Sequence, residues 1–341
     1  MGADARFPQR PRRLAVRPRL RRAQGPALKI TEVAAAVIER PDGAFLLGQR
    51  AADTFYPGYW EFPGGKVELG ETPRAALARE LREELEIEVL RATPWIVREH
   101  VYEHAHVRLH FFRVAKWRGV MKDHVHAALS WQRAAAPNVS PMLPANAPVL
   151  AALALPAFYA ISHAGETGID RQLAALERAL AGGLRLVQLR EPALAPAERT
   201  AFAHAATARC HAAQARVLIG GGDVELAVAV GADGVHLTAA QLMGTATRPA
   251  LPLVAASCHT RAELAQAARL GLDLAVLGAV GQTTSHPGQK GMGWPAFARL
   301  AAGLPLPVYA LGGLGHGDLG AARMAGAHGI AAIRAAWDQG S

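Results

Sequence analysis

The sequence predicts an α/β protein of two domains, the second of which is a small (β/α)8 barrel. The length of 341 residues indicates two domains, because one domain usually has about 100–200 residues. Apolar residues make up 51% of the chain and charged residues 19%, a globular composition that excludes wholesale disorder. From Phe158 onward, short apolar runs alternate with Ala-rich amphipathic stretches, and this alternation predicts the barrel.

Composition and hydrophobic pattern divide the chain into three segments: a basic leader at 1–27, a first domain at 28–155 and the barrel at 156–337. The leader holds eight Arg and one Asp. It is rich in Pro and has no helical period, which predicts disorder. A weak electrostatic contact with RNA or anionic lipid and a wrongly assigned translation start are the alternatives.

The position of the positive charge argues against a nucleic-acid-binding protein. The chain carries a net charge of +9, and the leader alone supplies +7 of it. Two cysteines, Cys210 and Cys258, cannot build a disulfide framework, which favours a reducing compartment. No apolar run has the roughly 18 residues that a membrane span needs. We therefore expect a cytoplasmic protein with no membrane partner and no stable nucleic-acid complex.

The first domain begins with two strands at 33–38 and 44–50. The turn signal Pro41-Asp42-Gly43 between them predicts a hairpin. A Gly/Pro-rich loop leads to a helix at about 73–85, where Thr72 is a good N-cap and Pro73 suits the first turn. The helix buries a stripe of Leu77, Leu81 and Leu85. Two further strand-like segments and a short apolar helix are expected at 93–102, 106–117 and 148–155.

The barrel strands are expected at eight short apolar runs. They lie at 158–162, 184–190, 217–220, 234–237, 253–257, 274–278, 308–313 and 329–333. The connections between them are short, so the barrel is small for its class.

The most specific feature of the sequence is an acidic cluster on the predicted helix. Glu80, Glu83 and Glu84 have i, i+3 and i+4 spacing and therefore share one face. A hard divalent cation such as Mg²⁺ would relieve their repulsion and would also bind phosphate oxygens. Arg79 can hold the carboxylates in place, and Gly64-Gly65 permits a close backbone approach. The alternative is a solvated acidic surface.

The spacing over 65–87 resembles the Nudix box of Nudix pyrophosphohydrolases. The segments 49–53, 60–73 and 143–150 are similar to those of the MutT type, the 8-oxo-dGTP diphosphatases. The resemblance implies an α/β/α sandwich with a mixed sheet and Mg²⁺, or Mn²⁺, as cofactor. It also implies a nucleoside triphosphate substrate: 8-oxo-dGTP would be split to 8-oxo-dGMP and pyrophosphate by attack of water on the β-phosphorus. Such a mutator-type activity serves DNA replication and repair by cleaning the nucleotide pool.

The same resemblance assigns roles around the acidic helix. Gly64 would offer a carbonyl to the metal, Glu84 would be a principal ligand, and Glu80 and Glu83 would complete the site. Arg79 belongs to the catalytic set with these glutamates.

A second set of positions matches residues that hold the nucleotide. These are Arg50, Glu61, Phe62 and Asn146. Asn146 would read the oxidised purine edge, since an amide offers both a donor and an acceptor. The alternative for Asn146 is a turn residue in a Pro-rich loop.

Two departures from the MutT pattern stand out. Glu86 replaces a glycine that closes the helix, often with positive φ, at a cost on the order of 1 kcal/mol. A further glutamate, a metal ligand or candidate base, is expected near His124-Val125 and is missing. Asp123 or His124 would be its substitutes.

The second half resembles thiamine phosphate synthase and its relative TenI, a thiazole tautomerase. The segments 188–191, 231–237, 257–260 and 311–313 carry this resemblance. It implies a site for a phosphorylated small molecule at Gly312 and Gly313, with a strand-ending turn as the alternative. His259 matches the tautomerase histidine.

Much of the synthase chemistry is missing from the barrel. Pro192 stands where the family has a Lys, Gly220-Gly221 replaces an Asn-Asp pair, and Gln241 lies near a lost acidic ligand. The Thr283–His286 segment lacks the family's lysine. We therefore expect a phosphate-compound sensor or a structural partner. Two other functions stay open: hydrolysis of a thiamine-related or other diphosphate, and non-catalytic binding of a phosphate ligand.

Overall fold

The computed structural model describes residues 29–134, 136–282, 288 and 290–337. The leader predicted to be disordered, 1–27, and the Thr283–His286 segment lie outside these described residues. In the described part of the chain, no helix has the length and apolar character to span a membrane. Cys210 and Cys258 are both buried free thiols.

The N-terminal half has two small sheets in one layer with a helix on either side. One sheet is mixed and the other is antiparallel. In chain order the elements are β1 (Ile30–Ile38), β2 (Phe45–Gln49), β3 (Trp60–Glu61), β4 (Gly64–Lys66), α1 (Pro73–Leu85), β5 (Glu88–Val101), β6 (His106–Arg118), β7 (Ala128–Gln132) and α2 (Ala147–Leu153). The mixed sheet has the order β4-β1-β6-β5 and the antiparallel sheet has the order β3-β2-β7. This is the α/β/α sandwich that the resemblance implies.

The predicted hairpin of β1 and β2 is correct only at its turn. A bridge joins Glu39 to Phe45, but β1 pairs with β4 and β6 while β2 pairs with β3 and β7. Both strands are buried on both faces, so each needs two strand neighbours and a layer above and below. The chain therefore crosses into the second sheet after Gly43.

Helix α1 forms as predicted, with Thr72 as its N-cap and Leu85 as its last residue. The Thr72 hydroxyl accepts a hydrogen bond from the Ala75 N–H at 3.2 Å, and Pro73 is the first helical residue. Leu77, Leu81 and Leu85 are fully buried. They pack against alternate residues of β1, which places the opposite helix face, with its glutamates, outside the core.

The C-terminal half is the predicted barrel. Eight parallel strands close into a ring within the described residues, with each strand next to its sequence neighbours and β15 paired with β8. All eight predicted runs form these strands: β8 (Phe158–Ile161), β9 (Leu186–Leu189), β10 (Arg216–Gly220), β11 (Gly234–Leu237), β12 (Leu253–Cys258), β13 (Leu274–Gly278), β14 (Val308–Leu311) and β15 (Gly329–Ala332). The surrounding helices are α3 (Ala164–Thr167), α4 (Ile169–Ala181), α5 (Pro196–Ala212), α6 (Val224–Ala229), α7 (Ala239–Gly244), α8 (Arg261–Arg269), α9 (Gly293–Ala301) and α10 (Leu319–Met324).

The two halves meet at the end of the barrel where its strands begin. The Val97 N–H of β5 donates to the Leu304 carbonyl at 2.9 Å, and the Arg98 guanidinium donates to the Pro305 carbonyl at 2.7 Å. The Trp95 ring stacks on the His328 imidazole, with 5.7 Å between the ring centroids. Because Leu304, Pro305 and His328 precede strands, the opposite end of the barrel, where ligands usually bind, stays uncovered by the first domain.

Candidate active site

The acidic face of α1 lies against strand β4, and two glycines permit the contact. The Gly64 N–H donates to Glu84 Oε2 at 3.2 Å. A Cβ on Gly65 would lie 2.2 Å from the Glu80 carboxyl carbon. Gly64 has a φ of +139°, and a Cβ there would lie 2.1 Å from the Ala34 carbonyl oxygen. Gly65 is therefore required because a side chain would collide with the Glu80 carboxylate. Gly64 is required because a side chain would collide with the Ala34 carbonyl and because its φ is positive.

Arg79 ties the acidic residues together. Its guanidinium contacts both oxygens of Glu71, at 2.9 and 3.0 Å. It also donates to Glu80 at 2.9 Å and to Glu83 at 3.3 Å. The hydrogen bonds to Glu71 and Glu80 raise the pKa of Arg79, and Arg79 in turn lowers the pKa of Glu71. The arginine predicted to hold the carboxylates does contact them in the structure.

Glu84 is a carboxyl of the cluster with a strongly raised pKa. Burial raises its pKa to about 8, and the nearby charge of Glu80 acts in the same direction. The hydrogen bond from Gly64 partly opposes the shift. A raised carboxyl pKa means that the negative charge lacks compensation, which a bound cation would supply.

The residues fit Mg²⁺ by their chemistry, and one side chain must turn to complete the site. Carboxylate and carbonyl oxygens are the donors that this hard cation prefers. Within the described ranges, however, no group of three or more His, Cys, Asp or Glu side chains is arranged to hold a metal ion. Glu80 and Glu83 both point to the Arg79 guanidinium, so Glu83 would have to leave Arg79 to reach the others.

The predicted nucleotide-binding residues lie at the neighbouring antiparallel sheet: Arg50 follows β2, Glu61 and Phe62 are at the end of β3, and Asn146 is in the turn before α2. Arg50 donates to both oxygens of Glu61 at 2.7 Å. Burial raises the pKa of Glu61, and Arg50 opposes this. Phe62 is buried, and the Asn146 amide donates to the Trp60 carbonyl at 3.3 Å. Asn146 is thus held close to the strand that carries Glu61.

The sequence did not predict a cluster of rings beside these groups. The ring cluster consists of Phe55, Tyr56, Tyr102 and His104. Phe55 stacks on His104 with centroids 4.4 Å apart, and Tyr56 lies 5.5 Å from Tyr102. Burial raises the pKa of Tyr102, the charge of Glu61 acts in the same direction, and a hydrogen bond with the Ala145 backbone opposes the shift. These neighbours place the Tyr102 hydroxyl near the nucleotide-binding residues. Aromatic residues are frequent at 55–60, and histidines with Tyr102 at 100–106, but nothing in the sequence shows that the two segments meet.

The segment around His124 and Val125, where the further glutamate was expected, places an aspartate and two histidines near the end of α1. His124 turns to Glu86, with 2.6 Å between Nε2 and Oε1, and Glu86 closes α1 at φ 54° in the left-handed conformation. Asp123 lies near Glu84, whose pKa its charge helps to raise. Of the two proposed substitutes, Asp123 is therefore the one whose charge acts on the acidic cluster. The next histidine, His126, faces Asp123 at 3.1 Å.

The barrel candidates lie at the end where its strands finish. His259 follows β12, and its Nδ1 lies 2.9 Å from the Gly278 carbonyl. Gly312 and Gly313 have positive φ, and a Cβ on Gly313 would lie 2.3 Å from the Gln282 carbonyl oxygen. Close packing of the backbone is thus sufficient to explain Gly313, and a phosphate ligand is not needed to explain it. This agrees with the strand-ending turn that was the alternative.

Two further polar side chains of the barrel have structural partners. Glu191, the last residue of the 188–191 motif, accepts hydrogen bonds from the Ser162 hydroxyl and from the Ala164 and Gly165 N–H groups. Gln241 donates to the Gly221 carbonyl at 2.6 Å. Both side chains therefore organise loops.

Comparison with known proteins identifies both halves. A family model for the NUDIX domain matches residues 29–153, and one for thiamine monophosphate synthase matches residues 158–336. The chain is 43% identical over 131 residues to a CTP pyrophosphohydrolase of Escherichia coli, covering 37% of this chain and 92% of that protein.

Two further relatives extend the comparison. An 8-oxo-dGTP diphosphatase of E. coli is 32% identical over 126 residues, which cover 37% of this chain and 98% of that protein. A putative thiamine-phosphate synthase of Geobacter sulfurreducens is 36% identical over 181 residues, covering 52% of this chain and 84% of that protein. The chain therefore belongs to two families at once, as a MutT-like Nudix domain fused to a thiamine-phosphate synthase/TenI domain.

Proposed function

We propose that the Nudix domain is a Mg²⁺-dependent pyrophosphohydrolase of nucleoside triphosphates with 8-oxo-dGTP as its leading substrate. The observation that carries the proposal is the half-buried Glu84 carboxyl, which accepts a hydrogen bond from the Gly64 N–H and has a pKa raised to about 8 by burial and by the charge of Glu80. A site of this kind gains most from a cation and its phosphate ligands. We place the activity in the cytoplasm, where free nucleotides are found.

The cofactor assignment rests on the donor atoms. Nudix hydrolases generally use a divalent metal, and Gly64, Glu80, Glu83 and Glu84 would hold Mg²⁺ or Mn²⁺ here. When bound, the ion would neutralise phosphate charge and lower the pKa of water. Arg79 keeps Glu80 in position through its contacts with both Glu80 and Glu71.

The chemical step is a displacement at phosphorus. Water attacks the β-phosphorus, the bond from that phosphorus to the α,β-bridging oxygen breaks, and the nucleoside monophosphate leaves with the bridging oxygen. Pyrophosphate keeps the oxygen of the water. The chain's contribution is to fix the triphosphate in line with the water.

The base would lie between the ring cluster and Asn146. Tyr56 and Tyr102 offer ring faces, and stacking on such faces accepts any base. The Asn146 amide offers a donor and an acceptor for the base edge. The Arg50–Glu61 pair supplies further polar groups at the same end of the site.

The test is a substrate panel with Mg²⁺ in which pyrophosphate release is measured. It contains 8-oxo-dGTP, dGTP, CTP, other nucleoside triphosphates and thiamine diphosphate. We expect kcat/KM to be highest for 8-oxo-dGTP. Glu84→Gln should lose about 10²-fold or more of the activity, since charge stabilisation of this kind is worth several kcal/mol.

The control is Glu88→Gln, because Glu88 forms an exposed pair with Arg118 outside the site. It should behave like the unaltered protein. Full activity of Glu84→Gln would refute the metal assignment. If no substrate of the panel were hydrolysed, the hydrolase function would be refuted and a non-catalytic protein that binds a phosphate ligand would be favoured.

CTP is the second candidate substrate. The similarity to the E. coli CTP pyrophosphohydrolase favours it, and the ring cluster can stack on a pyrimidine as well as on a purine. A kcat/KM for CTP above that for 8-oxo-dGTP would assign the domain to pyrimidine nucleotides. A preference for thiamine diphosphate would instead support the thiamine-related function.

For the barrel we propose binding of a phosphorylated small molecule without synthase chemistry. Pro192, Gly220 and Gly221 cannot supply the charged groups that hold a metal–pyrophosphate. Gly312 and Gly313 lie at the strand 7 end, where barrels often bind phosphate. His259 is the candidate proton carrier if the ligand is a thiazole. Calorimetric titration with thiamine phosphate and inorganic phosphate tests this assignment, and the absence of binding would favour a purely structural role.

A further inference from the structure

Asp123 and His126 form a hydrogen-bonded pair in the segment between β6 and β7. Asp123 Oδ1 lies 3.1 Å from His126 Nδ1. The same oxygen accepts the backbone N–H groups of Val125 at 3.2 Å and His126 at 2.9 Å. A carboxylate oxygen only accepts hydrogen bonds, so Nδ1 carries the imidazole proton. Nε2 is then the unprotonated nitrogen of the neutral ring.

The imidazole lies over Gly48, inside the proposed substrate site. A Cβ on Gly48 would come within 2.1 Å of His126 Cδ2 and 2.5 Å of Nε2. Gly48 is the direct partner of Glu61 in the antiparallel pairing of β2 with β3. Directly opposed residues place their side chains on the same face of a sheet. His126 therefore lies on the face that carries the Glu61 carboxyl.

The other side of the pair faces the acidic helix. The His124 N–H donates to the Glu84 carbonyl at 3.1 Å, which holds the segment against the end of α1. The charged groups around the pair are Glu61 with its partner Arg50, and Glu84. In the part of the chain that the structure describes, Nε2 makes no hydrogen bond, although the side chain is only 4% exposed.

We propose that His126 Nε2 accepts the proton of the water that attacks the β-phosphorus, and that Asp123 is the positioning residue that fixes the ring. This inference rests on the proposed hydrolase function. As the oxygen–phosphorus bond forms, one water proton moves to Nε2, and the bond from the β-phosphorus to the bridging oxygen breaks. The bridging oxygen leaves with the nucleoside monophosphate. An aspartate that holds Nδ1–H keeps Nε2 available as the proton acceptor, as in other Asp–His pairs.

The first test compares His126→Gln with the unaltered protein and with His211→Gln. His211 is a matched control, since it faces Asp233 at the same 3.1 Å but lies in the barrel. We expect kcat of His126→Gln to fall about 10²-fold with KM nearly unchanged, and His211→Gln to keep both. His126→Glu, which restores a proton acceptor, should recover part of the lost kcat.

The second test measures which nitrogen of the His126 imidazole carries the proton. Nitrogen-15 NMR of histidine-labelled protein should show His126 with Nδ1 protonated and Nε2 free. Asp123→Asn should shift the ring toward the Nε2–H form and lower kcat without altering the thermal midpoint, since the amide oxygen still accepts the backbone N–H groups. A merely structural pair would not couple the tautomer to kcat.

The outcomes separate the two hypotheses. If the unaltered protein hydrolyses nothing in the panel, the proposed function fails and this inference falls with it. If the protein hydrolyses a nucleotide but His126→Gln keeps its kcat, or the ring carries Nε2–H, only the role of His126 is refuted. Should His126→Gln fail to fold, the tautomer and the Asp123→Asn kinetics still decide.

Discussion

The Glu80 carboxylate fills the space beside Gly65, where a Cβ would lie 2.2 Å from its carboxyl carbon. Gly65 has no positive φ, so its backbone accepts any residue. The glycine is therefore required by the position of a carboxylate and not by the turn. Gly64 differs, because its φ of +139° and its contact with the Ala34 carbonyl make it a backbone requirement.

Gly65→Ala should separate activity from stability. The added methyl group meets the flexible end of Glu80, so the carboxylate moves aside while the fold persists. We expect pyrophosphate release to fall by about tenfold to a hundredfold, as when the support of a metal ligand is lost, and the thermal midpoint to change by a few degrees at most. Gly64→Ala is the contrasting variant, since it should lower the midpoint strongly through backbone strain. Equal loss of stability in both variants would contradict this distinction.

Glu84 should make the stability of the metal-free protein depend on pH. Its pKa is about 8 in the folded state against 4.5 ordinarily. The folded state therefore binds the proton more tightly, and stability falls as the pH rises from 4.5 to 8. We expect the thermal midpoint in EDTA to drop over this window by more in the unaltered protein than in Glu84→Gln. Mg²⁺ should remove most of the difference, because the cation compensates the ionised carboxylate. If the thermal midpoint fell equally with pH in the unaltered protein and in Glu84→Gln, Glu84 would be excluded as the cause of the pH dependence.

The sequence was sufficient for features that depend on near neighbours. The cap at Thr72, the leucine stripe of α1 and the barrel strands follow from local pattern, and the structure confirms each of them. The positive φ of Glu86 was expected from its place at the helix end.

Features that join distant segments could not be predicted in this way. The hairpin prediction failed because the pairing of a strand depends on what covers its two faces, which a turn signal does not show. The sequence placed Asp123 and His124 near the expected glutamate, but only the structure shows that His124 turns to Glu86. His126 reaches the site because Gly48, far away in the chain, leaves it room.

Tyr102 should contribute to binding of the base. It lies 5.5 Å from Tyr56 and 5.6 Å from His104 in the ring cluster. Stacking of a base on an aromatic ring is worth about 1–3 kcal/mol, so Tyr102→Leu should raise KM for the preferred nucleotide about tenfold with little change in kcat. Tyr102→Phe keeps the ring and should stay near the unaltered KM. If steady-state kinetics show the same KM for Tyr102→Leu, the base lies elsewhere.

The contact between the domains should depend on a buried ion pair. Arg113 and Glu39 are only 10% and 17% exposed. The Arg113 guanidinium lies 5.2 Å from the centre of the Trp95 ring, and that ring stacks on His328 of the barrel. Glu39→Gln would leave the arginine buried without its partner, which typically costs about 3–5 kcal/mol.

Urea denaturation followed by tryptophan fluorescence measures this cost. Glu88→Gln is the matched control, because its exposed pair with Arg118 is worth at most about 1 kcal/mol. The two variants should therefore differ by at least about 2 kcal/mol in the free energy of unfolding. Because the pair lies against the barrel, Glu39→Gln should also weaken the contact between the domains, and limited proteolysis should then cleave the chain near residue 156 faster than in Glu88→Gln. Equal unfolding energies would show that the Trp95–His328 stack and the β5 backbone bonds hold the domains together without the ion pair.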